Sequence, residues 1–234
     1  MKRHTLNKSK PTIQLLHMDC MEYMATLPDK AFDLAIVDPP YGIDIAKNGQ
    51  IGGVRKGLNP KWKNESVRQF EVKDWDCLIP NGDYFKELKR VSKYQMIWGG
   101  NYFTKFLEPT NSWVFWYKEP NSNNLTFSDG ELCWTSFEKQ MKQVSIPWIG
   151  FGSVNLKEAK THPTQKPVKL YEWLLTNYAK QGQRILDTHL GSGSHAIAAN
   201  NLGFELVGCE LDKDYFDAAC KRIEQATAQE RMFP

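Results

Sequence analysis

The chain has 234 residues, 41% of them hydrophobic and 24% charged, with a formal net charge of +3. That length supports one large α/β domain with a core of its own, and no apolar run approaches the roughly 18 residues that a membrane span requires. Five cysteines without a CxxC pair argue against a disulfide framework or a zinc site, and for reduced thiols in a cytoplasmic protein.

In chain order, residues 1–12 are basic and lack the apolar stretch of a secretory signal, so a flexible basic arm is expected, followed by a single domain over 13–234. Seven short apolar runs read as strands: IQLLHM, FDLAIV, YQMIWGG, SWVFWYK, ELCWTSF, RILDT and ELVGCE. Helical patterns lie between several of them. CMEYMATL follows the first run and YFKELKRV precedes the third. In KPVKLYEWLLTNYAKQG, Val168, Tyr171, Leu174, Leu175 and Tyr178 share one face and Gly182 is the expected stop. HAIAANNLG ends at Gly203, and DKDYFDAACKRI opens on Asp212 as an N-cap. Trp113, Trp116 and Trp134 alternate within strand-like runs and read as core. Strands alternating with helices imply a mostly parallel sheet covered on both faces. Two stretches resist assignment: a glycine-containing basic loop at 43–68, and 138–161.

Ligands of open α/β sheets bind beyond the carboxyl ends of the strands, and two such ends here carry chemistry. One is AIVDPPYG, where a buried strand runs into Asp38, Pro39, Pro40 and Tyr41. Two prolines fix the backbone of this turn, so Asp38 and Tyr41 are held in place. The other is ILDTHLGSGSHAIAA, in which Gly191, Gly193 and Ala196 have the spacing of a glycine-rich strand-to-helix turn and Glu210 ends the next strand, suited to ribose hydroxyls. A dinucleotide fold and a plain tight turn both fit the glycines. Asp187, four residues before Gly191, would repel a pyrophosphate and attract the ammonium and sulfonium groups of S-adenosylmethionine. With that donor, DPPY acquires a purpose. An exocyclic amine is a poor nucleophile. Asp38 and the carbonyl of Pro39 can each accept one of its N–H groups, while Tyr41 offers a face to a base turned out of the duplex.

With both motifs in place, the sequence resembles the β group of amino-methylating DNA methyltransferases, in which the catalytic motif precedes the cofactor motif. MDC at 18–20, DPPY at 38–41, THPTQKPVKLYEWLL at 161–175, DTHLGSGS at 187–194 and GCELD at 208–212 appear in that order. The phrases YFKELKRVSKYQMIWGGNYF and HPTQKPVKLYEWLL also look like methylases of phages and mobile elements. The resemblance implies a Rossmann-like class I S-adenosylmethionine-dependent fold with a seven-stranded, mostly parallel sheet and a circularly permuted motif order. It implies the strands ending in LDT and IVD side by side. For the cofactor it implies Asp187, Gly191, Ser192 and Gly193 near the methionine part, Glu210 on the ribose, Asp19 and Cys20 near the adenine, and Thr164, Gln165, Lys166 and Pro167 near the methionine carboxylate, with Asp38 also counted among the cofactor-binding residues. Here Thr188, His189 and Leu190 precede Gly191, where many relatives place an aromatic.

DPPY, with Asp rather than Ser at its head, is the form the resemblance associates with adenine N6. N4 of cytosine remains the alternative, and an RNA or protein amine or amide methyltransferase stands behind it with a reversed motif order. A cytosine-C5 enzyme would need a Pro–Cys dipeptide, which is absent. The histidines have no metal spacing, and no metal is expected. Duplex DNA is the expected partner. Lys47, Arg55, Lys56, Lys61, Lys63 and Arg68 in the 43–68 loop would meet its backbone, 121–161 would be a short target-recognition segment, and a homodimer is the expected assembly.

Overall fold

Apolar residues alternate along each central strand, and the alternation sorts the fold into layers. A computed structural model of the chain describes residues 2–6, 11–44, 50–51, 68–69, 73–119, 128–148 and 162–232. In chain order these hold β1 (Lys2–Leu6), β2 (Ile13–His17), α1 (Cys20–Ala25), β3 (Phe32–Val37), a two-stranded ribbon of β4 (Gln50–Ile51) and β5 (Arg68–Gln69), α2 (Gly82–Val91) and β6 (Ser92–Trp98). A 3₁₀ turn at Gly100–Tyr102 leads to β7 (Trp113–Tyr117), β8 (Gly130–Thr135) and β9 (Lys142–Ser145). The chain then continues through α3 (Val168–Tyr178), β10 (Arg184–Asp187), α4 (Ser194–Asn201), β11 (Glu205–Glu210) and α5 (Lys213–Met232).

The main sheet has nine strands in the order β1-β2-β11-β10-β3-β6-β8-β7-β9. The run from β2 to β6 is parallel throughout, and β1, β8 and β7 join antiparallel to their inner neighbours. β10 and β3 are adjacent, with Ile185 opposite Leu34 and Leu186 opposite Ala35, so the ends of RILD and FDLAIV meet as expected. Ile13, Leu15, Leu34, Ile36, Ile185 and Leu206 point to the face covered by α3, α4 and α5. Their neighbours Leu16, Ala35, Val37, Leu186 and Val207 point to the face covered by α1 and α2. Period-two burial of both faces is what a parallel sheet between helix layers requires.

Two strands exceed the expected seven. Residues 2–6 are not a loose arm: they pair antiparallel with β2, and Lys2 Nζ lies 2.6 Å from Asp217 Oδ1 on α5. KRHTL is polar because it is an edge strand with little to bury, a composition that guards against edge-to-edge association and hides the strand from an apolar pattern. β9 closes the other edge with Val144 as its one buried residue. It takes residues 142–145 out of the unassigned 138–161 stretch and, with β8, places 130–135 and 142–145 of the 121–161 segment in the sheet.

The helix expectations hold with one shift. Val168, Tyr171, Leu174, Leu175 and Tyr178 are all buried, but α3 ends at Tyr178, and Gly182 (φ +84°) serves the following turn. Asp212 Oδ1 accepts from the amides of Asp214 and Tyr215, the expected cap of α5. Trp116 and Trp134 are buried and Trp113 half-buried. All five cysteines are free thiols, and among the described residues no helix is long and apolar enough to cross a membrane. Phe216 on α5 is completely buried against the sheet. Phe216→Ala should cost about 3–5 kcal/mol of stability, read as a lowered urea midpoint with an unchanged slope.

Candidate active site

The turn after β3 sits in a cluster of buried and half-buried charges. Asp38 Oδ1 accepts from the Tyr41 hydroxyl at 2.6 Å, and Asp38 Oδ2 from Lys166 Nζ at 2.6 Å. The same ammonium reaches Glu131 Oε2 at 3.0 Å, and Lys118 Nζ holds Glu131 Oε1 at 2.6 Å. Lys166 is buried, with its charge over the rings of Trp98 (5.2 Å) and Tyr41 (5.6 Å). Two carboxylates and two ammonium groups thus form one chain from the tip of β3 to the start of β8 and the end of β7.

Their surroundings shift the acids in opposite directions. Burial raises Asp38 above the usual carboxylate range, against the opposing pull of Lys166. Burial would also raise Glu131, but Lys166 and Lys118 outweigh it and hold the carboxyl down at about 2. Asp38 is therefore the more basic of the two, the property wanted of a group that accepts a hydrogen bond from an amine.

The turn itself is clamped from a segment that the sequence reading missed. Asp76 is buried, and its Oδ1 accepts from the amides of Tyr41 (2.8 Å) and Gly42 (3.1 Å). Its carbonyl takes the amide of Asp44 at 3.1 Å. Gly99, at φ +67°, gives Tyr41 its place, since a Cβ there would fall 2.2 Å from the ring. Tyr41 stacks on Tyr102 with centroids 5.0 Å apart and planes 15° apart.

A cavity of about 680 Å³ opens beside the turn, across the ends of β2, β3, β10 and β11. Of the residues expected at the cofactor, Asp19, Cys20, Asp38, Thr164, Gln165, Lys166, Gly191, Ser192 and Glu210 line it, together with Pro40 of the catalytic set. Asp187, Gly193, Pro167, Pro39 and Tyr41 are not on its wall. Asp187 is turned beneath the glycine turn, where its carboxylate accepts from the His189 amide (3.0 Å) and from His195 Nδ1 (2.9 Å). Its charge is therefore spent on the turn rather than presented to the cavity. Gly193 (φ +77°) lies against Ile223, whose side chain a Cβ would approach to 2.8 Å. Pro167 caps α3. Lys47, Arg55, Lys56, Lys61 and Lys63 lie outside the described residues, and of Arg68 only the backbone pairing with Ile51 is described.

Each wall residue has a structural support. Asp19 caps α1, accepting from the amides of Met21 (2.6 Å) and Glu22 (3.4 Å). Glu210 accepts from the amides of Gly191 (2.8 Å) and Asp212 (2.9 Å), and burial pushes its carboxyl up to about 7. Burial raises the Cys20 thiol to about 12 and lowers His162 to about 3 and His189 to about 4, leaving a neutral thiol and neutral imidazoles on the wall at physiological pH. Trp75, His162 and Tyr215 close one side, with His162 4.2 Å from Tyr215 and 5.2 Å from Trp75 between ring centroids. No motif pointed to Trp75, Asp76, Lys118 or Glu131. The one available signal was an acid opening the apolar run ELCWTSF.

A cavity at the switch point of a mostly parallel sheet, with the Asp38 carboxylate at its rim, is the arrangement of a Rossmann-like class I fold. The DNA methylase family of the N6/N4 type matches residues 80–221. The chain belongs to that family of S-adenosylmethionine-dependent DNA methylases. Among curated relatives, the Type II methyltransferase M2.DpnII of Streptococcus pneumoniae is 26% identical, across 93% of this chain and 91% of that protein. M.HinfI of Haemophilus influenzae is 25% identical, across 96% and 71%. Among solved structures, the M1.HpyAVI–SAM complex superposes with a TM-score of 0.57 at 19% identity, covering 90% of this chain and 98% of that one. The cytosine-N4-specific PvuII DNA methyltransferase superposes at 0.56 with 11% identity, covering 94% and 93%. The fold is shared with an enzyme named for cytosine N4, so it does not separate the two bases.

Two outcomes follow. Removal of the Asp76 acceptor in Asp76→Ala leaves two turn amides unpaired and should cost about 1–3 kcal/mol by urea unfolding. Asp76→Asn, which keeps an acceptor oxygen, should cost less. Glu210 is protonated in both folded and unfolded chains below about pH 4.5. Between there and about 7 only the folded chain retains the proton, so this group's stabilisation is lost as pH rises. The stability of Glu210→Gln relative to wild type, measured without ligand, should rise across that window and level off above it.

Proposed function

We propose that the protein transfers a methyl group from S-adenosylmethionine to N6 of an adenine turned out of duplex DNA. The observation that carries this reading is the Asp38 carboxylate, made basic by burial and fixed at the cavity rim by Tyr41 and Lys166. The cavity suits the donor: its volume lies within the range for small-molecule sites, and its wall carries Asp19, Asp38, Glu210, Asp212 and Asp214 against Lys166 and Lys213, with Lys73 paired to Asp212 and Asp214. When bound, the donor supplies an electrophilic methyl group on sulfonium.

The chain's own residues do the rest. Asp19, Cys20 and Glu210 hold the nucleoside end, and Gly191, Ser192, Thr164, Gln165 and Lys166 the amino-acid end. Asp187, Gly193 and Pro167 shape the wall from behind. Asp38 accepts one N–H of the adenine amine and the Pro39 carbonyl accepts the other, directing the nitrogen lone pair at the methyl carbon. With the donor bound, the nitrogen would take its methyl group, the C–S electron pair staying on sulfur, and Asp38 would receive the amine proton. Pro40 keeps the turn stiff, and Tyr41 holds Asp38 through its hydroxyl.

Adenine is favoured by the acid at the head of DPPY, a stronger acceptor than serine for a weakly basic amine. Lys47, Arg55, Lys56, Lys61, Lys63 and Arg68 are assigned to the DNA backbone. At 41 residues, 121–161 is a short segment for reading bases, which favours a homodimer on the DNA. Methyl transfer to unmethylated genomic DNA, followed by mass spectrometry of nucleosides, should yield N6-methyladenine with wild-type protein and none with Asp38→Ala. N4-methylcytosine instead would retain the mechanism and overturn the choice of base.

A further inference from the structure

Seven large hydrophobic side chains are exposed among the described residues, and four belong to the segments that hold Tyr41. Ile43 follows the catalytic turn, Leu78 and Ile79 follow the clamp residue Asp76, and Tyr102 is the ring stacked on Tyr41. Leu78 is the most exposed of all, at 80%. Isolated surface leucines need no explanation, but an apolar group gathered around a catalytic turn does.

The display is rigid. Asp76 grips the amides of Tyr41 and Gly42 through its side chain and that of Asp44 through its carbonyl, and the Cys77 amide donates to the Asp74 carbonyl at 3.2 Å. Gly42 (φ +68°) packs so closely on Ile79 that a Cβ there would lie 3.2 Å from the Ile79 side chain. Leu78 is thus held at a fixed offset from Asp38, on a segment bonded to the turn that receives the base.

A base that leaves a duplex opens a gap in the stack and strands its partner. An apolar side chain that enters the gap keeps water out and keeps the base from returning, the device used by proteins that wedge between base steps. We propose that Leu78, backed by Ile79, is the wedge that fills the space vacated by the target adenine. This rests on the reading of the site as an adenine methylase. The occupant of the patch is duplex DNA because the patch is continuous with the turn on which the target base must arrive.

The test uses the full-length protein, the site mapped with wild-type enzyme, and two duplexes. In one the target adenine is paired with thymine; in the other it faces an abasic site, so that no pair has to open. Leu78→Ala should lower kcat/KM at least tenfold on the paired duplex and return to within twofold of wild type on the abasic one, while Leu78→Met stays near wild type on both. Equal loss on both duplexes, or no loss on the paired one, overturns the wedge. So does loss of a dimer in sedimentation with catalysis unmoved, which assigns the patch to a second copy. Wild-type enzyme that methylates adenine in neither duplex overturns the reading of the site itself, and the wedge with it.

Discussion

The buried ammonium of Lys166 is the constraint around which the site is arranged. A charge with almost no access to water is tolerable only when paired and hydrogen-bonded. Lys166 has two carboxylates within 3.0 Å, one on the catalytic turn and one on β8. Removal of either carboxylate leaves the cluster of Lys166, Lys118 and the remaining acid with one positive charge in excess. Lys118, bound to Glu131, completes the neutralisation. The cluster joins the segment before α3, the tip of β3 and two strands from the far half of the sheet. In doing so it fixes Asp38 relative to the cavity more firmly than the two prolines could alone.

Parallel pairing explains why donor and acceptor meet. With β10 beside β3, both strand ends finish at the same edge of the sheet, so the glycine turn and DPPY border the same cavity. The chain order of the two motifs is irrelevant to this meeting. Only the lateral order of the strands counts, and hydrophobic alternation sets the register that keeps one face toward α3–α5 and the other toward α1 and α2.

Much of this could be read from sequence, because apolar alternation and turn chemistry are local signals. The central strands, the cap at Asp212, the buried face of α3 and the wall residues from Asp19 to Glu210 all announce themselves within a few positions of their neighbours. The misses are of another kind. β1 and β9 are edge strands whose polar composition reflects what they do not bury. Asp187 was read as a charge offered to a ligand because its partner His195, eight residues on, is brought back only by the turn into α4. Glu131 and Lys118 meet Lys166 through strand pairing across the sheet, and Asp76 reaches Tyr41 from 35 residues away. Each is a long-range polar contact, and single-sequence periodicity carries no trace of it.

Residues 73–79 show what such contacts accomplish. Lys73 pairs with Asp212 and Asp214 at 2.7 and 2.9 Å, beyond the strand whose end holds Glu210. Two residues on, Trp75 lines the donor cavity against His162. The next residue, Asp76, carries the amides of the acceptor turn, and Leu78 stands in solvent just past it. One short strap therefore spans from the Glu210 side of the cavity to the turn that carries Asp38 and Tyr41. Because its grip at either end consists of charged or charge-assisted hydrogen bonds in partly buried surroundings, the two halves cannot move independently without breaking one of them. One wall of the cavity and the Asp38 turn are in this way set by a single piece of backbone.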